Sequence, residues 1–178
     1  MAATTQETYA LVGRMGFSLF VAPRTIAVSD LKRFIGGYHE GRAQVGLAGL
    51  AGPGDISVSM PVYVADTDRQ ARDEAEDSTM HFFRSIGRAL SKADAAAWTN
   101  EAREGRAQRL GKLTYEEILV EHAVFGSPES VTDRLIELRE TLGFTSFSGW
   151  MNPGGHIPDD RVTRSMRLFA ERVIPRLN

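Results

Sequence analysis

The chain has 178 residues, a formal net charge of −2 and no cysteine. Its apolar and charged fractions, 42% and 25%, are typical of a globular domain that is long enough to bury a core. The absence of cysteine excludes disulfides, thiolate nucleophiles and Cys-based zinc sites, and the near-neutral charge gives no reason to expect nucleic acid as a partner. No segment approaches the roughly 18 consecutive apolar residues of a membrane span, and the N-terminus lacks a secretory signal pattern. We therefore expect a soluble, cytoplasmic protein with no membrane partner.

The first predicted helix begins at Thr4-Thr5-Gln6-Glu7, which has the Thr-x-x-Glu form of a capping box. Gly16 ends this helix, and the apolar, β-prone segment Phe17 to Val21 is predicted to form the first strand. One face of the helix is expected to carry Leu11, Val12 and Met15. A second helix is predicted to begin at Ser29, because apolar residues follow it at helical spacing.

The segment Ile56 to Ala65 is predicted to be a second strand region. Pro61 lies near its middle, and because proline cannot donate to a strand ladder, we expect the regular strand to be Val62 to Ala65. Asp66-Thr67-Asp68 then ends the strand and opens a long helix. The carboxylates of Asp66 and Asp68 are expected to cap that helix rather than to bind a metal or to act as an acid/base pair.

The second half of the chain continues the alternation of helices and strands. Residues 91–121 are interpreted as a helical insertion. Val124 to Gly126 is predicted as a short strand, followed by a helix with Ser127 as its cap and proline at its first position. Phe144 to Trp150 is the next predicted strand, and Asp159 to Arg176 is the last predicted helix.

Strands that alternate with long helices predict βα units and a parallel sheet, so the predicted fold class is α/β. Three or four parallel strands do not close a barrel, which usually needs eight. An open, doubly wound sheet is one alternative, but its nucleotide-binding form usually carries a glycine-rich turn after the first strand. The corresponding turn here, AATTQE, contains no glycine, which disfavours that alternative.

Four segments of the chain resemble parts of the flavin-dependent, bacterial-luciferase-like monooxygenases, in the order and spacing of that family. AATTQETYALVGRMGFSLFVAP is similar to a strand end, phosphate loop and helix in the second half of its members. PVYVADTDRQARDEAE is similar to the next strand and helix, and FGSPESVTDRLIEL to the helix start before the last strand. FSGWMNPGGHIPDDRVTRSMRLFAERVIPR is similar to the closing strand and the C-terminal helix.

The resemblance implies a partial (β/α)8 TIM-type barrel, in which a single domain over residues 1–178 supplies the later part and the early strands are missing. Met1 would then fall within a barrel strand, and we expect the chain to be a fragment of a longer protein rather than a complete small one. The open strand edges of such a part favour self-association, so we expect a homo-oligomer.

The resemblance also places Thr4, Thr5 and Thr8 at positions that help to hold the flavin phosphate. Elementary chemistry supports such a site, because free N–H groups, the positive end of a helix dipole and hydroxyl donors together bind an anion. The alternative is that Thr4 and Glu7 form an ordinary capping box and nothing more.

Trp150, Asn152 and His156 follow the last predicted strand on the face where barrel enzymes have their active sites, so they are candidates for the substrate pocket. The alternatives are that Trp150 packs beneath the C-terminal helix and that Asn152 begins an ordinary turn. Arg24 follows the first strand on the same face, where it either meets an anionic substrate or is a solvated loop residue. No spacing in the sequence predicts a metal site, and none identifies the catalytic residues.

The function that the resemblance implies is the oxidation of a small organic substrate by O2 and reduced flavin mononucleotide (FMN), with the protein positioning the cofactor and excluding water. A flavin reductase would then be a partner. The alternatives are an F420-dependent oxidoreductase of the same fold and a non-catalytic flavin-binding or partner subunit. We expect the chain alone to be catalytically incomplete.

Overall fold

The computed structural model describes residues 5–24, 26–47, 56–92 and 108–177. The helices are α1 (Gln6–Arg14), α2 (Val28–Gln44), α3 (Asp68–Lys92), α4 (Tyr115–Glu121), α5 (Pro128–Leu142) and α6 (Asp159–Leu168). The strands are β1 (Leu19–Val21), β2 (Ile56–Val64), β3 (Val124–Gly126) and β4 (Ser146–Trp150). Residues 108–112 are also helical, and a π-helical turn (Phe169–Val173) and a 3-10 turn (Ile174–Arg176) continue α6. No helix in the described ranges is both long and apolar enough to cross a bilayer.

β2 is the centre of the sheet, and each of the other described strands pairs with it in parallel. β1 pairs with the first three residues of β2, β4 with residues 57–61, and β3 with the last three. Ser57 and Val58 are paired with both β1 and β4, so those two strands lie on opposite edges of β2. The described sheet is parallel throughout, which confirms the α/β class.

β2 runs without a break through Pro61, so the expectation of a regular strand only from Val62 onward is wrong. In a parallel strand, the backbone N–H and C=O groups of alternate residues point to opposite edges. Ile56 directs its carbonyl to Thr145 N–H on the β4 side, so the even-numbered residues of β2 face β4. Pro61 therefore faces the other edge, between the end of β1 and the start of β3, where none of the described strands has a ladder bond that its missing N–H would have to make.

Helices cover one face of the sheet, which we call the outer face. The buried residues of α1, α2 and α5 pack there against alternate residues of β1 and β2: Tyr9, Val12, Leu31, Ile35, Tyr38, Val131, Leu135 and Leu138 against Leu19, Val21, Ile56, Val58 and Met60. The residues between them face the inner side, where Ser57 and Ser59 of β2 lie opposite Ser146 and Ser148 of β4. These serines are partly or fully exposed. A doubly wound sheet would carry helices on both faces, so the arrangement is that of a barrel segment.

α3 is the exception to this outer layer, because it lies over the inner face at the carboxyl end of β2. Tyr63 points to the inner face, and yet it is fully buried. It is covered by Ala71 and Ala75 of α3 in a small apolar core of its own, and Phe125 of β3 packs beside it. α3 therefore crosses the mouth of the barrel segment, and α5 takes a place in the outer layer.

The described end of the predicted insertion packs against α3. Leu110 and Ile118 are buried together with Phe83 of α3. α4 begins with a complete capping box between Thr114 and Glu117, which is the start signal that a short helix needs. Residues 93–107 lie outside the described part, so the interpretation of residues 91–121 as an insertion stays a prediction.

The start of α1 differs from the predicted capping box by one residue. Thr5 is the cap, and its Oγ accepts a hydrogen bond from Thr8 N–H, whereas Thr4 lies outside the described residues. The apolar face is also rotated from the predicted one. Leu11 and Met15 are about half exposed, because α1 buries residues on its other side.

The start of α2 depends on a distant helix. α2 begins at Val28, so the expectation that Ser29 caps it is wrong. Instead, Ser29 N–H donates to the carboxylate of Glu121, at the end of α4, over 2.9 Å. A carboxylate at a helix N-terminus is favoured by the helix dipole. This bond joins the outer layer to the elements around α3.

Two glycines allow α1 and α2 to approach closely. A Cβ atom at Gly13 would lie 2.1 Å from the carbonyl oxygen of Tyr38, and one at Gly41 would lie 2.2 Å from that of Ala10. Such distances are shorter than real side chains tolerate, so glycine is required at both positions for this helix separation. The contact fixes the outer layer next to β1.

We predict that glycine-to-alanine substitutions in these helices have opposite effects. Gly13→Ala or Gly41→Ala should lower the free energy of unfolding by about 1–3 kcal/mol, because the added methyl group forces the helices apart. Gly36→Ala is the control: apart from its chain neighbours and the backbone of its own helix, no atom lies within 4 Å of the added Cβ, and alanine in a helix interior should raise stability by roughly 0.5–1 kcal/mol. Urea denaturation measures both. Effects of the same sign at Gly41 and Gly36 would contradict the close contact.

Candidate functional site

The carboxyl ends of β1, β2 and β4 lie at one edge of the sheet because the strands are parallel. The helices of the outer layer run in the opposite direction, so their N-termini meet the same edge. In barrels of this kind the edge is where ligands bind. Five side chains gather there from β1, α3, β4 and their loops, and we call them the mouth cluster: Arg24, His81, Phe82, Trp150 and His156.

Trp150 is the centre of the mouth cluster. It is the last residue of β4 and lies opposite Pro61 on the inner face. Phe82 of α3 meets the indole edge-on, with ring centroids 4.6 Å apart. The guanidinium carbon of Arg24 lies 5.5 Å from the indole centroid. These contacts place Trp150 between α3 and the end of β1.

Ser78 of α3 fixes the loop that follows Trp150. The side chain is only 2% exposed, and its Oγ donates to Pro153 O over 2.5 Å and accepts from His156 N–H over 3.0 Å. Gly154 packs on the same turn of α3, because a Cβ there would lie 2.2 Å from Ser78 O. Its φ of +88° also favours glycine. The loop is therefore docked on α3 through its backbone.

The two other predicted pocket residues have different surroundings. The amide of Asn152 bonds within the loop, where it donates to Ile157 O and accepts from Ile157 N–H, each over 3.1 Å. His156 is exposed, and its ring centroid lies 4.2 Å from that of His81. The structure thus brings Trp150 and His156 together at adjacent residues of α3, while the polar atoms of Asn152 shape the loop.

Buried His122 holds the end of β1 in place. It is 5% exposed, and its ring packs against Phe83 with centroids 5.5 Å apart. Its Nδ1 lies 2.7 Å from Pro23 O, and because a carbonyl can only accept, Nδ1 carries a proton. Burial lowers the pKa of His122, and the hydrogen bond to Pro23 opposes this only in part. A neutral imidazole therefore anchors the residue that precedes Arg24.

The N-terminus of α1 carries the phosphate-site candidates that the structure describes. Thr5 Oγ accepts from Thr8 N–H over 3.3 Å and lies 2.8 Å from Thr8 Oγ. One hydroxyl proton lies between the two oxygens, so the other is available to a ligand. By helix geometry, the N–H groups of Gln6 and Glu7 have no acceptor within the helix. Among the described residues, this terminus therefore presents donors that the helix itself does not satisfy.

Asp68 caps a helix, although not the one that the sequence predicts. Its carboxylate accepts from Ser127 N–H over 2.6 Å and from Ser130 Oγ over 2.9 Å, at the start of α5. These bonds, the backbone one above all, lower the pKa of Asp68. At the start of α3, Thr67 Oγ accepts from Gln70 N–H instead. Within the described part of the chain, no group of three or more His, Asp or Glu side chains could hold a metal ion.

A polar cluster that the sequence does not reveal joins α3 to β2 and α6. Glu74 accepts from Tyr63 OH over 2.7 Å, from Arg164 over 2.5 Å and from Gln70 over 3.0 Å. Burial pushes the pKa of Glu74 upward, but these three hydrogen bonds outweigh it and the pKa falls. Burial, helped by the same carboxylate, raises the pKa of Tyr63. The cluster fixes the first half of α3 over the mouth.

Ser78, His81 and Phe82 belong to the site, although no motif in the sequence predicts this role for them. The sequence feature that could identify them is the presence of three consecutive aromatic or imidazole side chains, His81 to Phe83. Consecutive residues of a helix point about 100° apart, so these three side chains cannot share one buried face. In the structure, the three rings contact His156, Trp150 and His122 in turn. Three consecutive ring side chains in a helix therefore indicate that other elements pack against the helix on more than one side.

A parallel sheet covered by helices on its outer face, with side chains gathered at its carboxyl edge, defines the class of (β/α)-barrel proteins. The chain belongs to the luciferase-like monooxygenase family, whose model matches residues 1–146. This match confirms the family that the sequence motifs resemble. Among curated proteins, none matches the chain in sequence.

Solved structures of related fold superpose on nearly the whole chain. Monooxygenase RslO1 from Streptomyces bottropensis is 21% identical with a TM-score of 0.66, and the match covers 99% of this chain and 47% of that one. The oxygenating constituent of 3,6-diketocamphane monooxygenase from Pseudomonas putida, a complex with FMN, is 19% identical with a TM-score of 0.66, covering 99% and 48%. The coenzyme F420-dependent tetrahydromethanopterin reductase from Methanopyrus kandleri is 17% identical with a TM-score of 0.62, covering 100% and 50%. The chain thus spans about half the length of these structures, as a partial barrel.

We predict that His122 makes the folded state sensitive to acid. Its pKa is lowered from 6.5 in the folded state, so below pH 6.5 the unfolded chain takes up a proton that the folded chain does not. The contribution of neutral His122 to the free energy of unfolding is complete above pH 6.5. It is lost as the pH falls through the pKa that His122 has in the folded state. His122→Asn keeps a donor for Pro23 O but does not titrate. The difference in unfolding free energy between wild type and this variant should therefore shrink as the pH is lowered.

Urea denaturation at a series of pH values measures this effect. His39→Asn is the matched control, since it makes the same substitution at an exposed residue of α2. Parallel curves for wild type and His122→Asn across the acid range would contradict the prediction.

Proposed function

We propose that this chain is part of a flavin-dependent oxidoreductase that oxidises a small organic substrate with O2 and reduced FMN. Membership of the luciferase-like monooxygenase family supports the class, and the relative solved as a complex with FMN supports the cofactor. The observation that carries the proposal is the arrangement of donors at the N-terminus of α1. The hydroxyls of Thr5 and Thr8 lie there beside N–H groups that have no acceptor within the helix.

The residues at this terminus fit a phosphate group. A hydroxyl of the Thr5–Thr8 pair and the N–H groups of Gln6 and Glu7 are donors, and the positive end of the helix dipole favours a negative charge. The carboxylate of Glu7 is exposed, so its charge can remain in water beside the ligand. Thr4, which the family resemblance adds to this site, is part of the same proposal.

A bound flavin would supply the redox chemistry, and the residues of this chain would orient it and its substrate. We assign Trp150 and His156 to the wall of the substrate pocket, because they lie together in the mouth cluster. Asn152 has a supporting role, since its amide holds the loop that carries His156. α3 excludes water from the side of the mouth that it covers.

F420 is the second candidate cofactor. The F420-dependent reductase shares the fold at a TM-score of 0.62, close to the 0.66 of the FMN complex, so the likeness in fold does not separate the two. A chain that binds either cofactor without turnover would instead be a binding or partner subunit.

We also propose that the chain works as a homo-oligomer, with a flavin reductase as the separate supplier of reduced flavin. Large apolar side chains are exposed beside β1, namely Leu11, Met15 and Phe17, and others are exposed near the C-terminus, namely Met166 and Ile174. On the inner face of the sheet, Ser57, Ser59, Ser146 and Ser148 are partly or fully exposed as well. Covering apolar surface and strand edges favours association of copies.

We predict that the chain binds FMN more tightly than riboflavin, which has the same ring system without the phosphate. Thr8→Val should weaken FMN binding by about tenfold or more, the effect of losing one hydrogen bond to a charged group. It should leave riboflavin binding unchanged. Thr163→Val, at an exposed position of α6, is the control. Fluorescence titration measures these affinities, with F420 as a third ligand.

Equal affinities for FMN and riboflavin would remove the phosphate site from the proposal. Tighter binding of F420 than of FMN would favour the second cofactor. Saturable binding without substrate oxidation, even with a reductase and O2 present, would favour the non-catalytic alternative.

We predict that the purified chain is a dimer or larger species by light scattering at micromolar concentration. Met15→Glu should shift it toward the monomer, because it places a charge in the exposed apolar surface beside β1. Val120→Glu is the matched control, since Val120 is 60% exposed on a different helix, α4. A wild-type monomer with cooperative unfolding would refute the assembly.

A further inference from the structure

We propose that Arg24, seated on Trp150, recognises the carboxylate of a flat organic substrate at the mouth of the barrel. The inference rests on the proposed function in one respect only, that the ligand of the mouth cluster is the substrate of the enzyme.

Three arginine–ring contacts occur in the described part of the chain: Arg24 over Trp150, Arg33 over Phe34 and Arg42 over Tyr38. Two of these guanidinium groups also have an oxygen partner. Arg33 pairs with Asp30 over 3.2 Å, and Arg42 donates to a backbone carbonyl over 3.4 Å. Arg24 has no ion-pair or hydrogen-bond partner for its guanidinium among the described residues. Its donors are therefore available to a ligand.

The surroundings of Arg24 restrict its position but leave its positive charge without a negative partner among the described residues. Pro23 is fixed by the hydrogen bond between its carbonyl and buried His122, so the backbone next to Arg24 is anchored. Stacking on the indole limits the freedom of the guanidinium, and its planar fork of donors matches the two oxygens of a carboxylate. Binding then costs less side-chain entropy than it would for a free surface arginine.

The surroundings favour an anion with a flat, apolar body. Phe82 and Trp150 form an apolar corner, and the imidazoles of His81 and His156 lie beside it. All acidic residues of α3 lie before residue 78, whereas the second half of the helix carries arginines and no Asp or Glu. A ring can pack in this corner while its carboxylate reaches Arg24.

The test uses the whole chain carrying Trp98→Phe, so that Trp150 is the only remaining tryptophan of two. Its fluorescence is followed during titration with benzoate or with benzamide, which has the same shape and no charge. We expect saturable binding of benzoate and at least tenfold weaker binding of benzamide. Arg24→Gln should abolish this difference. Arg33→Gln, which removes an arginine over a ring outside the mouth, should preserve it.

Several results would overturn the inference. One is equal affinity for benzoate and benzamide, and another is a preference for benzoate that survives Arg24→Gln. Displacement of benzoate by an equal concentration of inorganic phosphate would show that the site recognises negative charge and not the flat carboxylate. A larger loss of unfolding free energy in Arg24→Gln than in Arg33→Gln would show that Arg24 has a structural partner. No flavin is present, so failure of the FMN prediction and failure of this one are distinguishable.

Discussion

The pairing of β2 along both of its edges is the interaction on which the rest of the structure depends. Each of the other described strands is paired with β2, which therefore sets the order of the sheet. β2 is nine residues long, and its last residues extend beyond the pairing with β4. That extension receives β3 on one edge and presents Tyr63 to α3 on the inner face. If β2 ended earlier, α3 would lack the residues of β2 on which it packs at the mouth of the barrel segment.

Local signals in the sequence predicted most of the fold. Ser127 and Pro128 predict the start of α5 to the residue, because a cap bond joins groups only three positions apart. The errors on Ser29 and Asp68 occur where a helix start receives its partner from a distant part of the chain. Glu121 caps α2 across 92 positions, and Asp68 supports α5 across 59. No pattern of spacing in a single sequence contains such partners.

The candidate site was predictable in part, for the same reason. Trp150 ends a strand and His156 lies in the loop after it, and position at the end of a strand is a local property. Their partners on α3 were not predictable, since the contact between Ser78 and Pro153 spans 75 positions and requires α3 to lie on the inner side of the sheet. The burial of Tyr63 under that helix is what reveals the crossing. The phosphate-site role of Thr5 and Thr8 stays a prediction, supported by the geometry of α1.

The serines that face each other across β2 and β4 have a consequence for the space inside the molecule. Bulky branched residues fill the interior of most (β/α)8 barrels in stacked layers. Here Ser57 meets Ser146 and Ser59 meets Ser148, and their side chains occupy much less volume. These four serines therefore leave hydroxyl-lined space against the inner face of the sheet, on the same side of β4 as Trp150.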